Sequence, residues 1–318
     1  MQSKLPRSLT KLIPARLIRA MLPVVMRAYA HSKGMSLRRS CDHLDVISNS
    51  RVIRLSIEHS IYVLDIINSF DYYFDAVVPF KYEDINLVDY STPRYHDVRG
   101  LEFNPIMFPS LAEPLITTDQ YQAFAELSDG MVVLDLGAYS GLTSIIFAEA
   151  VGENGAVIAV EADPVSLECI ERNISRFRHR SSTNIKILAG AVWNHNDGIE
   201  FSCEGNMGSS ATGIVGKNRG PTRSVSSYTL SEIVRIYSLQ RVDFIKCDIE
   251  GAERLIFKDE EFFQQFSPKI IIEAHIVDGE ETTYSCINEL EKSGYRCSKI
   301  PQYGVSLPLI ECLRATPI

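Results

Sequence analysis

Beyond Thr117 the chain alternates short apolar runs with stretches whose apolar positions recur every three or four residues, the signatures of buried strands and amphipathic helices. The apolar runs predict strands at Met131–Leu136, at Ala156–Val160 with Glu161 closing it, and at Ile185–Ala189, Val242–Cys247 and Ile270–Ala274. Between them the spacing predicts helices over Thr118–Leu127, Leu142–Ala150, Val165–Phe177, Ser231–Leu239 and Glu280–Lys292, the last stopped by Gly294. Thr117 or Thr118 is the candidate cap of the first, and Thr229 or Ser231 of the fourth. A shorter helix is expected over Ala252–Phe257, continuing in Phe262–Phe266. Asp197-Gly198, between Ala191–Trp193 and Ile199–Cys203, reads as a hairpin turn, and Tyr295–Ile300 with Leu307–Leu313 as a closing hairpin. The Gly205–Gly220 stretch is rich in glycine and serine and reads as a mobile loop too polar for a core. Strands alternating with helices imply a doubly wound α/β domain, its mostly parallel sheet covered on both faces.

The first 112 residues have a different texture. Leu5, Leu9, Leu12, Ile13, Leu17, Ile18, Met21 and Leu22 recur at helical spacing with Lys4, Lys11, Arg16 and Arg19 between them. Pro14 and Pro23 interrupt this pattern and predict two short helices in place of one. A basic amphipathic segment suits a membrane-surface anchor or a targeting peptide, and equally a helical arm packed on the body or on a second subunit. Residues 41–112 hold a strand-like Val52–Ile57 and an aromatic-rich Ile61–Phe80, whose rings suit core packing or a pocket wall. Pro93, Gly100, Pro105, Pro109 and Pro114 mark an irregular connection. The chain thus divides into an arm over 1–40, an extension over 41–112 suited to a substrate cap or an oligomer contact, and a domain over 113–318.

Charge sharpens this division. Residues 1–40 carry nine Lys or Arg and no acid, so the body is more acidic than the net charge of −8. An acidic body argues against nucleic acid as a partner. No apolar stretch approaches the ~18 residues of a membrane span, which points to a cytoplasmic protein, peripheral at the membrane if the arm anchors it. Seven cysteines without C-x-x-C spacing, among them Cys247 and Cys297 inside apolar strands, predict buried reduced thiols.

The candidate chemistry begins at MVVLDLGAYSGLTS (131–144), where a strand runs into a glycine turn and a helix start. A dinucleotide fingerprint needs G-x-G-x-x-G, and only Gly137 and Gly141 are present here, which disfavours a nicotinamide oxidoreductase. Asp135 at the strand end suits a cationic ligand, an ammonium or a sulfonium. Other acids close later strands. Asp248 and Glu250 stand two apart past Val242–Cys247, and Glu273 and His275 end the next strand. Two close carboxylates can raise one pKa toward that of a working base or bind a divalent cation. Glu250 can instead accept backbone N–H groups at the next helix start and hold Gly251 in its turn.

With these pieces placed, the chain resembles the FkbM family of S-adenosylmethionine-dependent methyltransferases over roughly residues 113–300. The resemblance rests on VVLDLGAYSGLTS (132–144), VIAVEADP (157–164), AVWNHNDGIEF (191–201) with SVSSYTL (224–230), and VDFIKCDIEGAE (242–253) followed by IIIEAH (270–275). It implies a seven-stranded Rossmann-like methyltransferase sheet with a helical and irregular N-terminal extension. It assigns Asp135, Gly137, Ala138 and Gly141 to the methionine end of S-adenosyl-L-methionine, Glu161 to the ribose hydroxyls, and Ala191 and Val192 to the adenine. It implies O-methylation of a hydroxyl on a small molecule or saccharide. A general base must then take the hydroxyl proton, and Asp248 or His275 is the candidate, with Glu250 beside them. Ser209 and Ser210 are expected to shape the acceptor pocket. No metal ligand set is assigned, and Lys246 is given no role. The basic arm makes a homo-oligomer contact an open reading. A scaffold that keeps the fold without catalysis is the competing class.

Overall fold

In the computed structural model, which describes residues 15–179, 184–215 and 221–315, contacts divide the chain between Thr92 and Pro93 into two compact units. The division precedes the boundary drawn at residue 112. Arg94–His96 pairs with Ile106–Phe108, and Asn173 exchanges two 2.8 Å hydrogen bonds with the Met107 backbone, which ties this ribbon to the second unit.

The second unit is built on seven strands: β1 (Val132–Leu136), β2 (Ala156–Glu161), β3 (Ile185–Ala189), β4 (Phe244–Cys247), β5 (Lys269–Glu273), β6 (Tyr295–Pro301) and β7 (Pro308–Arg314). Their order is β3-β2-β1-β4-β5-β7-β6, with β1 to β5 parallel and β7 antiparallel to β5 and β6. This is the expected doubly wound α/β sheet. Its helices are α1 (Leu115–Ala125), α2 (Leu142–Val151), α3 (Pro164–Arg178), α4 (Leu230–Tyr237), α5 (Glu253–Ile256), α6 (Glu260–Gln265) and α7 (Thr283–Lys292). Leu134, Ile158, Ile245 and Ile272 are fully buried, as strands covered on both faces require. Asp163 caps α3 by accepting the Val165 and Ser166 N–H groups, and the Thr229 hydroxyl caps α4.

The strand order reverses between β1 and β4, so their carboxyl ends diverge into a crevice, the place where open α/β sheets bind ligands. Two turns meet there. A Cβ on Gly137 (φ +75°) would lie 1.8 Å from the Asp248 carbonyl oxygen, so only glycine lets the β1 turn pass under the β4 turn. Gly251 (φ +99°) is closed in similarly by Val277 and Ile214.

Several local expectations are corrected. Pro114, not a threonine, occupies the cap position of α1, and no side chain caps it. Asp197-Gly198 is not a hairpin turn. Ala191–Val192 pairs with Ser227–Tyr228, whereas Ile199–Ser202 pairs with Ser210–Ala211 and Thr222–Val225, and the link is held by the Ser227 hydroxyl. Residues 205–215 are structured, with Asn206, Ser210, Ala211 and Ile214 buried. Asp163 ties them down by accepting the Gly205 N–H (3.0 Å) and the Ser209 hydroxyl (2.7 Å). Residues 216–220 lie outside the described residues. Glu280 and Glu281 form a bridge with Ile276–Val277 ahead of α7. Cys297 and Cys312, opposite each other on β6 and β7, form a disulfide, while Cys169, Cys203, Cys247 and Cys286 are the buried free thiols.

The first unit holds a five-stranded sheet in the order Ser36–Arg39, His43–Ser48, Arg51–Ser56, Ile85–Tyr90, Phe80–Tyr82. Ser36–Arg39 pairs with His43–Ser48, so no break falls at residue 40. One helix spans Ala15–Ser32 and contains Pro23, which corrects the break expected there; Pro14 and the apolar positions from Leu5 to Ile13 lie outside the described residues. The missing N–H of a proline breaks one bond of a helix and leaves its neighbours intact. Phe70, Tyr72 and Phe74 are buried, the core use of the aromatic stretch, whereas Phe80 and Tyr82 are exposed.

The crossing of the two turns gives a stability test. Gly137→Ala is expected to cost about 2–4 kcal/mol through backbone overlap and positive φ. Gly213→Ala, where nothing lies within 4 Å of the added carbon, should stay within about 0.5 kcal/mol. Urea midpoints of the two variants, measured side by side, check the difference.

Candidate active site

The carboxyl ends of β1, β2 and β4 open on a cleft of about 1060 Å³, part of it open to solvent, enough for a nucleoside-sized ligand beside a second small molecule. Its two ends differ in chemistry.

At the β2 end Glu161 faces the cleft. Its Oε1 accepts the Ala162 and Asp163 N–H groups (both 2.7 Å) and its Oε2 accepts the Tyr139 N–H (2.9 Å). The carboxylate is therefore fixed in direction, and Oε2 keeps acceptor capacity for a ligand hydroxyl. Burial pushes its pKa up to about 7 despite these N–H donors. Ala162, Ala191, Val192 and Phe201 make the adjoining wall apolar. Tyr139 sits in the left-handed region (φ +51°), which aims its N–H at Glu161 while its hydroxyl donates to the Leu111 carbonyl (2.8 Å).

The other end is acidic around one cation. The Lys246 ammonium, buried within β4, donates to the Gly137 carbonyl (2.7 Å) and lies 3.6 Å from Asp135 and 3.5 Å from Asp248. Burial would lower its pKa, but Asp248 and Asp135, with Glu113 and Glu273 beyond, hold it above its ordinary value. Asp248, Glu250, Glu273 and Glu113 share this wall. Glu113 is raised well above the carboxylate range by burial and by Glu273 and Asp248. Glu273 is raised to about 7 by burial and Asp248; its Oε2 accepts Tyr121 and Gln302 (both 3.1 Å).

Behind this wall stands His275. Its Nε2 lies 3.5 Å from Asp248 and 3.6 Å from Glu250, and its Nδ1 lies 3.1 Å from Glu253 Oε1. Burial would lower its pKa, but the charges of Glu250 and Glu253 and the hydrogen bond to Glu253 raise it well above the ordinary value. Glu253, fully buried, also accepts the Gly251 N–H (2.7 Å), the His275 N–H (3.2 Å) and the Thr282 hydroxyl (2.7 Å). Burial would raise its pKa, and the His275 charge with these donors lowers it instead.

Gly137, Ala138, Glu161, Ala191, Val192, Asp248 and Glu250 thus converge on one cleft, and Ser209 lines it as well. Five assignments change. Asp135 is fully buried and off the cleft wall, its Oδ2 accepting the Thr143 (2.7 Å) and Ser144 (2.5 Å) hydroxyls, so it reaches a ligand only through Thr143 and Lys246. Gly141 starts α2 beneath the turn and packs on Ile170. His275 is a protonated partner of carboxylates rather than a neutral base. The role of holding Gly251, weighed for Glu250, belongs to Glu253, while Glu250 occupies a left-handed φ of +52°. Ser210 is buried away from the cleft wall. Glu113, Lys246 and Glu253 escaped the sequence reading. A lysine inside the apolar VDFIKC run was the one legible signal, since a buried charge needs partners.

The sequence profile described as the Methyltransferase FkbM domain matches residues 135–297. A protein-L-isoaspartate O-methyltransferase of Methanothrix thermoacetophila is 37% identical over 65 residues, 20% of this chain and 30% of that one. The chain spans about a third of the length of the curated relatives it matches. Among solved structures, the precorrin-6y C5,15-methyltransferase of Geobacter metallireducens aligns at 17% identity with a TM-score of 0.39, over 61% of this chain and 84% of that one. Aeropyrum pernix fibrillarin in complex with S-adenosyl-L-methionine aligns at 13% identity with a TM-score of 0.39, over 87% and 97%.

The Glu253–His275 pair carries its own test. With one pKa lowered and the other raised, its stabilisation is whole between the ordinary values of 4.5 and 6.5. It is lost as pH falls through the folded-state pKa of Glu253 or rises through that of His275. Glu253→Gln is expected to lose about 3 kcal/mol at pH 7 in urea unfolding, because it removes the fully buried counter-charge hydrogen-bonded to His275 and leaves it only the longer contacts to Asp248 and Glu250. The gap to wild type should narrow at strongly alkaline pH.

Proposed function

The chain belongs to the FkbM methyltransferase family, and on that premise we propose that it methylates a hydroxyl oxygen of a small molecule or saccharide. S-adenosyl-L-methionine is the cofactor, and it supplies an electrophilic methyl group on a sulfonium. The donor set of the cleft fits that molecule. A carboxylate held by three amides offers an acceptor at the ribose, an apolar wall takes the adenine, and the crowded acidic end suits a cation. The observation that carries the reading is this division of one cleft into a hydroxyl-accepting end and an acidic end.

In this reading Glu161 binds the ribose, Ala191 and Val192 flank the adenine, and Gly137 and Ala138 let backbone approach the methionine end. Asp135 acts at one remove, through Lys246, which holds the Gly137 carbonyl in place. Asp248 is the base. It faces the cleft between Lys246 and His275, and it takes the acceptor's hydroxyl proton as the oxygen attacks. Glu250 and the charged His275 position it. Ser209 and Met207 border the acceptor side. The proposal keeps nucleic acid out; the buried free thiols fit a cytoplasmic location, and the Cys297–Cys312 disulfide does not. No helix among the described residues is long and apolar enough to cross a membrane. The exposed Val24 and Val25 of the Ala15–Ser32 helix suit contact with a membrane surface or a second subunit.

Asp248→Asn is expected to lower kcat by about 10²–10⁴-fold while S-adenosylhomocysteine affinity, measured by calorimetry, stays within about threefold. Unchanged turnover would remove Asp248 from the chemistry. Ribose hydroxyls donate to the ionised form of Glu161, so S-adenosylhomocysteine affinity should rise with pH through about 7. Glu161→Gln should flatten this profile and weaken binding by about tenfold or more.

A further inference from the structure

We propose that Asp248, Glu273 and His275 form a divalent-cation site at the acidic end of the cleft. One ligand atom from each of the three lies within 4.8 Å of the others. The His275 Nε2 to Asp248 Oδ1 separation of 3.5 Å is long for a hydrogen bond. It is close to the spacing of neighbouring donors around one ion with bonds of about 2.1–2.4 Å.

The surrounding groups orient each donor. Glu253 Oε1 takes the Nδ1 side of His275 and leaves Nε2 toward Asp248 and Glu250; a cation bound there displaces the Nε2 proton of the charged ring, in the carboxylate–histidine pairing that supports metal-bound imidazoles. The two oxygens of Asp248 are divided: Oδ2 faces Lys246 at 3.5 Å, and Oδ1 faces His275. Tyr121 and Gln302 both donate to Oε2 of Glu273.

A second, independent observation points the same way. Gln302 is 5% exposed, its amide nitrogen is bonded to Glu273, and its carbonyl oxygen, buried beside the cluster, has no hydrogen-bond partner. This orphan is an acceptor. Carboxyl groups outnumber cations here: among the described residues Glu113, Asp248, Glu250, Glu253 and Glu273 gather about Lys246 and His275. Two carboxylates with one imidazole suit Mn²⁺ better than the harder Mg²⁺ or Ca²⁺.

Asp248 and Glu273 also line the cleft, so the remaining coordination positions open toward it. There a cation held by Oδ1 would fix an acceptor oxygen and leave Oδ2 of Asp248 to take its proton. That role rests on the methyl-transfer reading; the site itself stands on its residues.

The full chain, freed of metal with a chelator, is titrated with Mn²⁺ alone, and free Mn²⁺ is followed by electron paramagnetic resonance. One Mn²⁺ per chain is expected to bind, with nitrogen hyperfine coupling from one imidazole in the pulsed spectrum of the unaltered protein. His275→Gln and Glu273→Gln should each weaken binding at least about tenfold. Absence of stoichiometric binding below about 1 mM, or bound Mn²⁺ without nitrogen coupling, overturns the proposal. S-adenosylhomocysteine calorimetry on the same sample separates the two readings. Cofactor binding without Mn²⁺ binding removes the metal site and leaves the methyl-transfer reading standing, and the reverse result removes that reading alone.

Discussion

A single buried ammonium holds this site together. Parallel register sets Lys246 of β4 opposite Asp135 of β1, and the side chain runs on to the Gly137 carbonyl and to Asp248. Burying an ammonium costs several kcal/mol even after relaxation, so its position is stable only with these partners in place. The constraint works in both directions. The lysine fixes the turn after β1, and the turn, because Gly137 lies against the Asp248 carbonyl, fixes the turn after β4. A ligand in the cleft therefore meets two turns whose spacing is set by backbone contact rather than by side chains free to move.

Glu253 does for the far side what Lys246 does for the near side. From a fully buried position it gathers the Gly251 N–H, the His275 ring and backbone, and the Thr282 hydroxyl, joining the β4 turn, the end of β5 and the start of α7. Between these two hubs the backbone is strained. Tyr139 and Glu250 both adopt positive φ, uncommon for such residues, and each lies in a turn facing the cleft. Strain of this kind persists where surrounding bonds over-determine it. Tyr139 is held by Glu161 and Leu111, and Glu250 sits between Asp248 and the turn glycine that Glu253 pins.

The sheet was legible because its strands are buried on both faces and so write continuous apolar runs. All seven strands were read within a few residues, as were the cap at Thr229 and the stop at Gly294. The site was legible where backbone geometry demands a residue type, at Gly137, or where an acid closes a strand, at Glu161 and Asp248. What stayed hidden depends on contacts distant in sequence. Asp135 looks like a ligand by its place after a strand, yet Thr143 and Ser144 turn it inward. His275 looks like a base until Glu250 and Glu253 arrive from another turn and charge it. Glu113 comes from a proline-rich connection with no period to read. The cross-strand Cys297–Cys312 pair needs the register of a hairpin whose turn the pattern leaves open.

The raised carboxyls of Glu161, Glu273 and Glu113 show that the cleft is held at a cost. In the unfolded chain Glu161 ionises near its ordinary 4.5, in the folded chain near 7, so between these values the folded state binds the proton more tightly. Stability contributed by this group therefore falls as pH rises from about 4.5 to 7 and stays lost above. The penalty is on the order of 3 kcal/mol. Glu273 repeats this behaviour at the opposite end, where Asp248 adds its repulsion to burial. A fold selected for stability alone would replace such groups with apolar ones of similar shape. Their place at both ends of one cleft accords with the proposed reading, hydroxyl donors at one end and positive charge at the other. Each bound group then relieves a carboxylate that the empty protein keeps under-solvated, so binding recovers part of the free energy that folding gave up.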